Sequence, residues 1–517
     1  MKLLVAIVAL ATLGAAPAPA PEIVDVLIRG GTVYTGSDAP FVGDVAVTGD
    51  RIRYVGSKAT FAAARTIDAR GMVVAPGFID PHTHVEAMLA SSDARERLVL
   101  PFLMQGVTTA FIGNDGGGAV HVAAVLTPAQ PVGINYASYV GFGAVRRAVI
   151  GEARRTPTPV ELATMRGIVA RAMCQGALGL STGLFYAPQS FATTEEVVAL
   201  AREAGTRGGT YDTHIRDESS YTVGLAAAID EAIAIGRDAK LPVHISHIKA
   251  LGVDVQGQAP AIIAKVDAAR RRGQAVTADQ YPWSASGTSL AASLVPLWAQ
   301  DGGREALLRR FADPALAARL HGGMSENLRK RGGAAALLIT EGAERGRTLA
   351  AVATRLGTDA VGAAIATIRV HDPAVASFNQ SETDIAAFVR RPWVMTGSDA
   401  STGHPRVYGS FARRYAKYVK SERVLTLRQF IERSSALTAD TFGLTGRGRL
   451  RRGAFADVVV FDPATYAERA TYEQPTVFAQ GVQTLLVNGA IVVDGGVATG
   501  RAAGRPLPRT PTAGRCR

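Results

Sequence analysis

The chain has 517 residues, 47% of them hydrophobic and 19% charged, which describes a globular protein with a large core and excludes a disordered or fibrous one. That length is too great for one minimal domain and suits a large barrel with a smaller satellite. The formal net charge is +12, but the basic residues are dispersed in short pairs and triples such as Arg270-Arg271-Arg272, with no interleaved aromatics. They read as solvated surface that helps attract anionic substrates, and no nucleic-acid partner is expected.

At the N-terminus, Lys2 precedes an apolar run from Leu3 to Leu13 and an Ala-Pro repeat over Ala15 to Pro21. This layout predicts a secretory signal peptide over 1–20, cleaved somewhere within 16–22. Its apolar part is shorter than the roughly 20 residues a spanning helix needs, so a periplasmic or secreted protein without a stable membrane anchor is expected. Only two cysteines occur. Cys174 lies in an Ala-rich helical pattern and reads as a small core residue, and Cys516 sits in an Arg-rich tail. An oxidising compartment allows a disulfide between them without requiring one.

From 22 to 75 short alternating runs such as Val24 to Ile28, Val45 to Val47 and Ile52 to Val55 are punctuated by Gly and Asp, the pattern of a small antiparallel sheet. The stretch 447–497 returns to it in Val458 to Phe461, Leu485 to Val487 and Ile491 to Val493. The two ends are expected to complete one β-sandwich domain, with an Arg-rich tail over 498–517. Between them, 76–446 alternates apolar runs ending in polar residues with helical patterns, which predicts an α/β fold with a parallel sheet. Its length fits a (β/α)8 TIM-like barrel, with the polar strand ends facing the active site. A stretch over 291–336, rich in Arg, Leu, Ala and Gly, breaks the rhythm and is expected to be a mostly helical insertion over the barrel mouth.

One candidate site stands out. His82 and His84 follow the apolar run Met72 to Ala75 and Gly77-Phe78-Ile79-Asp80-Pro81. At i and i+2 of a strand end, two side chains share a face about 7 Å apart, within reach of one divalent cation. An isolated His-x-His is as readily an ordinary pair at a surface turn, and the downstream residues decide. His214 and His247 also end apolar runs, and Asp399 follows another. Neutral imidazoles suit Zn²⁺, and catalytic zinc sites keep a position open for water. His244, three residues before His247, should point to the opposite face and be structural.

His82-Thr83-His84, His214, His247 and Gly397-Ser398-Asp399 together resemble the amidohydrolase superfamily. Gly179 to Leu184, Thr213 to Glu218, Ser246 to Lys249, Asp279 to Trp283 and His404 to Gly409 narrow the resemblance to the N-acyl-D-amino-acid deacylases, from about Val24 to Asp494. The resemblance implies a metal-dependent hydrolase that cleaves the amide of small N-acyl-D-amino acids, holding one or two Zn²⁺, with Mn²⁺ or Co²⁺ as possible replacements. It implies His82, His84, His214, His247 and Asp399 as metal ligands, Asp399 as the general base, and Arg406 as the receiver of the substrate carboxylate. Lys249, Tyr281 and Tyr186 match substrate-contacting positions, the tyrosines being equally suited to packing at the barrel mouth. Where relatives place a substrate-binding serine, this chain reads Ser286-Gly287-Thr288, with Gly287 at the matching position and Ser286 the nearby candidate.

The departure is at Asp115, where well-known D-aminoacylases carry a metal-binding cysteine. An aspartate is a harder ligand, more tolerant of Mn²⁺ or Co²⁺. Asp115 is expected to be a metal ligand, the alternative being that it only shapes its glycine-rich loop. Three further readings compete: a dipeptidase acting on a C-terminal D-residue, a cyclic-amide hydrolase of hydantoinase or dihydroorotase type, and an inactive metal-binding barrel. Amino-acid and acyl preference and oligomeric state stay open.

Overall fold

The computed structural model describes residues 22–516, so the leader expected over 1–20 lies outside the described residues. Strands from both chain ends are hydrogen bonded into one nine-stranded sheet. The joint is Val73–Pro76, which runs parallel to Ile23–Val33 on one side and antiparallel to Val458–Phe461 on the other. The sheet curls until its end turns meet: a Cβ on Gly489 would lie 1.9 Å from Gly49 O, so only glycine fits there. Alternation along the strands fills one side with Ile28, Val45, Val74 and Val460, while Val73, Ala75, Val459 and Phe461 belong to the large core shared with the barrel.

The barrel has eight parallel strands: β1 (Phe78–Asp80), β2 (Val107–Ile112), β3 (Asn135–Ser138, continued past Tyr139 by Val140–Gly141), β4 (Gly179–Gly183), β5 (Thr210–His214), β6 (Val243–Ile245), β7 (Val276–Gln280) and β8 (Val394–Thr396). Each pairs in parallel with the next. The ring closes just beyond β8 and β1, where Thr83 and Ala400 form a parallel bridge and Asp399 N–H donates to His82 O at 2.9 Å. These strands are buried along their length because helices cover the outside. The helix Thr194–Gly205 begins where Thr193 accepts from Glu196 N–H, and it buries Val197, Leu200, Ala201 and Ala204.

Residues 291–336 are mostly helical, as expected, but the insertion extends beyond them on both sides. It occupies the chain between β7 and β8 and contains a three-stranded antiparallel sheet in the order Ala285–Ser289, Ala374–Phe378, Leu337–Ile339. Helices Gly303–Ala312, Pro314–Lys330, Leu349–Leu356 and Ala360–Val370 pack around a separate core that includes Leu290, Leu320, Met324 and Ile368. The strands escape a periodicity reading because Ala-Ser-Gly-Thr-Ser and Leu-Leu-Ile are short and pair only across long stretches of chain. Among the described residues no single helix is long and apolar enough to cross a membrane.

Beyond the sheet, the C-terminal tail straps the barrel at the N-terminal ends of β3 to β5. Gly504 N–H donates to Val132 O, Leu507 N–H to Tyr136 O and Arg509 N–H to Gly176 O. Cys516 then forms a disulfide with Cys174. Cys174 is therefore no core residue; it lies exposed at the C-terminal end of the helix Pro159–Cys174.

Candidate metal centre

The C-terminal ends of the barrel strands bring the predicted ligands together. His82 and His84 follow β1, Asp115 follows β2, His214 ends β5, His247 follows β6 and Asp399 follows β8. Two ligand groups form, His82–His84–Asp115–Asp399 and Asp115–His214–His247, and Asp115 belongs to both. Its Oδ1 lies 3.5 Å from His82 Nε2 and 3.7 Å from His247 Nε2. Its Oδ2 lies 3.5 Å from His84 Nε2 and 3.8 Å from His214 Nδ1. Asp399 Oδ1 completes the first group, 3.6 Å from His82 Nε2 and 3.4 Å from His84 Nε2. Ligand atoms about 2.1 Å from a tetrahedral ion stand roughly 3.4 Å apart, so the carboxylate–imidazole spacings fit a divalent metal, while His214 Nδ1 and His247 Nε2 stand at hydrogen-bond distance, 2.9 Å apart.

Unpartnered atoms point the same way. His82 Nε2 and Asp115 Oδ1 are enclosed and have no hydrogen-bond partner in the protein. Asp115, His247 and Asp399 hold left-handed backbone conformations, with φ of 55°, 35° and 48°. Non-glycine residues adopt these rarely, and the surrounding loops fix them. Asn114 ties the Asp115 loop to the His82 loop through Pro81 O, at 3.1 Å. Gln189 Nε2 donates to Asp115 O at 2.9 Å.

Burial alone would hold Asp115 neutral, but the facing imidazoles of His82, His214 and His247 keep its carboxyl well below the usual range. Burial likewise opposes charge on Asp399, and the Arg406 guanidinium overrides it. For His214 burial wins and lowers the ring below its ordinary value, the neutral form a metal requires.

Buried carboxylates stand behind the candidate ligands. Glu218 sits behind two of them, with Oε1 3.1 Å from His247 Nδ1 and Oε2 3.7 Å from His214 Nε2. Lys249 Nζ neutralises it at 2.5 Å and also lies 2.7 Å from His247 Nδ1. Asp279 Oδ2 is 3.8 Å from His82 Nδ1 and accepts from His244 Nε2–H at 3.0 Å. His244 is tied to Asp279 and lies outside both candidate ligand groups, as the strand register implies. Asp80 Oδ1 accepts from both His82 N–H and Ser398 N–H, fastening β1 to β8, and burial pushes its carboxyl up to about 7. Asp212 accepts from Ser246 Oγ and Asn114 Nδ2, and burial raises it to about 6.

Glu218, Asp279, Asp80 and Asp212 are the site residues that sequence reasoning left unassigned. A usable signal existed for two of them: Asp80 and Asp212 stand two residues before His82 and His214, on the same strand face.

The ligands open onto a cavity of about 410 Å³ between the barrel mouth and the insertion. Tyr186, Lys249, Tyr281, Ser286 and Arg406 all line it. Arg406 is 1% exposed, with Nη1 on Asp399 Oδ2 and Nη2 on Ser401 Oγ, both at 2.6 Å. Its guanidinium lies over the Tyr281 ring, 5.1 Å from the centroid, and Gln380 Nε2 fixes the Tyr281 hydroxyl at 2.9 Å. Tyr186 packs on His214, with ring centroids 4.8 Å apart, and its hydroxyl accepts from Thr288. Ser286 Oγ donates to Asn379 Oδ1 at 3.1 Å. A Cβ on Gly287 would stand 3.0 Å from Arg406 Nη2.

An amidohydrolase family profile matches residues 65–493. The D-aminoacylase of Alcaligenes xylosoxydans xylosoxydans is 36% identical, over 94% of this chain and 98% of its own. The N-acyl-D-glutamate deacylase of the same organism is 32% identical over 91% and 94%. A solved D-aminoacylase structure superposes with a TM-score of 0.80 at 32% identity, covering 94% of this chain and all of that one. The N-acyl-D-glutamate deacylase of Bordetella bronchiseptica, solved with zinc and a phosphonate inhibitor, gives 0.78 at 32% identity over the same shares. D-Hydantoinase, at 17% identity and a TM-score of 0.58, shares the fold. With its profile match spanning most of the sequence, this chain belongs to the amidohydrolase family.

Proposed function

We propose that the protein is a metal-dependent amidase that hydrolyses N-acyl-D-amino acids to a carboxylate and a free D-amino acid. The observation that carries this reading is the ligand set sharing Asp115, with Asp399 and Arg406 paired at the edge of the same cavity. The relatives support the substrate class: they include a D-aminoacylase, an N-acyl-D-glutamate deacylase and an N-acyl-D-aspartate deacylase, the last 32% identical over 92% of this chain. One solved D-aminoacylase has a binuclear metal centre, described as one-metal activation and second-metal attenuation.

His82, His84, Asp115 and Asp399 would hold one ion, and His214 and His247 with the shared Asp115 a second, Zn²⁺ being the first choice and Mn²⁺ or Co²⁺ compatible with the harder carboxylate. When bound, such an ion polarises the scissile carbonyl and lowers the pKa of water towards about 7. Asp399 takes the proton of the attacking water and returns it to the departing amine nitrogen. Arg406 receives the α-carboxylate on the Nη2 edge where Ser401 Oγ now sits, with Tyr281 beneath it. Glu218 holds the His247 ring in place, and Asp279 faces the His82 ring. Asp115, which belongs to both groups, would contribute to holding either ion, and Lys249 lies behind His247, engaged by Glu218.

The protein is further proposed to be exported to the periplasm or beyond. The leader pattern of residues 1–20 supports this, and so does the Cys174–Cys516 disulfide, which an oxidising compartment sustains.

Asp399→Asn tests the mechanism. With metal content verified as native, it should lose at least about 100-fold in kcat, the usual contribution of a positioned acid–base group. Near-normal turnover at native metal content would remove Asp399 from the proton path.

A further inference from the structure

The charges lining the cavity do not all cancel. Lys249 is engaged by Glu218 and Arg406 by Asp399. Arg331 lines the same cavity from the insertion, immediately after the helix Pro314–Lys330, and is only 2% exposed. Its Nε donates to Ser293 O at 3.1 Å and its Nη1 to Ser377 Oγ at 3.3 Å. Among the described residues no carboxylate lies within 4 Å of it. Two neutral acceptors leave three of the five guanidinium N–H donors uncommitted. A buried charge kept without a counter-charge is costly, and a bound anion removes that cost.

Its surroundings suit an anion. The guanidinium carbon is 5.7 Å from the centroid of the Tyr221 ring, which also lines the cavity, and the enclosed Tyr221 hydroxyl has no hydrogen-bond partner. Lys330 Nζ is 5.5 Å from the same ring and donates to Ser220 O at 2.8 Å. The opposing feature is Glu341, also on the cavity wall, where its Oε2 accepts from Ala374 N–H at 3.3 Å. Arg331 is thus a second cationic point in a cavity whose first, Arg406, already serves the α-carboxylate in the reading above.

We infer that Arg331, with the Tyr221 hydroxyl, receives a second carboxylate of the substrate, so that the enzyme prefers dianionic N-acyl-D-amino acids. This rests on the proposed deacylase reading and names its substrate class. The second carboxylate comes either from an acidic side chain on the D-residue or from a dicarboxylic acyl group, and two substrate pairs separate these sources. One compares N-acetyl-D-glutamate with N-acetyl-D-glutamine, the other N-succinyl-D-leucine with its succinamoyl counterpart. The metal-loaded enzyme should favour the charged member of one pair by at least about tenfold in kcat/KM, carried mainly by KM, because a site built for a polar group rejects the analogue lacking it.

Arg331→Gln should bring that ratio below about threefold, and Arg331→Lys should restore part of it, which a merely structural arginine would not produce. Tyr221→Phe leaves both Arg331 hydrogen bonds intact and should lower the same ratio several-fold, so it decides the matter if Arg331→Gln does not fold. Ratios within threefold for both pairs in the unmodified enzyme, or a ratio that survives in these variants, would overturn the inference while leaving the deacylase reading standing. Absence of amine release from every N-acyl-D-amino acid would instead overturn the reading beneath it.

Discussion

Replacing Asp115 with asparagine keeps the size and shape of the side chain while removing its charge. In the structure each oxygen of this carboxylate faces two imidazole nitrogens, at 3.5 and 3.7 Å for Oδ1 and at 3.5 and 3.8 Å for Oδ2. The asparagine would present an N–H₂ group where one oxygen now offers lone pairs, and no anion would remain between the two ligand groups. A contact to a charged group is worth about 1.5–3 kcal/mol. Losing one such contact per group should therefore weaken metal binding about ten- to a hundredfold. Chelator competition gives the affinity and elemental analysis the number of ions per chain, and both should fall. Asp115→Cys, which installs the ligand found in the resembling D-aminoacylases, should recover zinc retention and reduce tolerance of Mn²⁺. If Asp115→Asn kept the same stoichiometry and affinity as the unmodified protein, Asp115 would be only a loop-shaping residue.

Two further outcomes follow from the packing. Gly287→Ser places a Cβ 3.0 Å from Arg406 Nη2 and should push that side chain off its rotamer at about 0.5–1.5 kcal/mol. Steady-state kinetics should show KM raised several-fold with metal content unchanged, and an unaltered KM would mean that Arg406 does not hold the carboxylate. Cys516→Ser releases the strap that runs under β3 to β5 and should lower the melting temperature without changing kcat, since the strap lies at the barrel end opposite the metal ligands. An unchanged melting temperature would show that the hydrogen bonds of Gly504, Leu507 and Arg509 hold the tail unaided.

The barrel was legible because β-strand physics is local, while the candidate ligand set was implied by the family resemblance. Apolar runs ending in histidine or aspartate name both a buried strand and the face its last side chain shares, and His82, His84, His214, His247 and Asp399 all sit at such ends. Asp115 was harder, since its neighbours Gly113 and Gly116 also take positive φ and make a loop-forming aspartate equally reasonable. Only the structure places both of its oxygens among four imidazoles. The insertion sheet was not legible, because Ala285–Ser289 gains its strand character from pairing with Ala374–Phe378 far along the chain. Cys174 misled for a related reason: its Ala-rich helix gave no sign of which face meets the returning tail. Arg331 carries no sequence signal either, being one of many arginines until its burial and its lack of a carboxylate partner are seen.

The most direct measurement is enantiomer-resolved release of free amino acid from N-acetyl-D- and N-acetyl-L-amino acids, using protein stripped with a chelator and reloaded with Zn²⁺, Mn²⁺ or Co²⁺. The predicted result is release of the D-amino acid only, lost on stripping and regained on reloading. Equal release from both enantiomers, or turnover indifferent to the metal, would contradict the account.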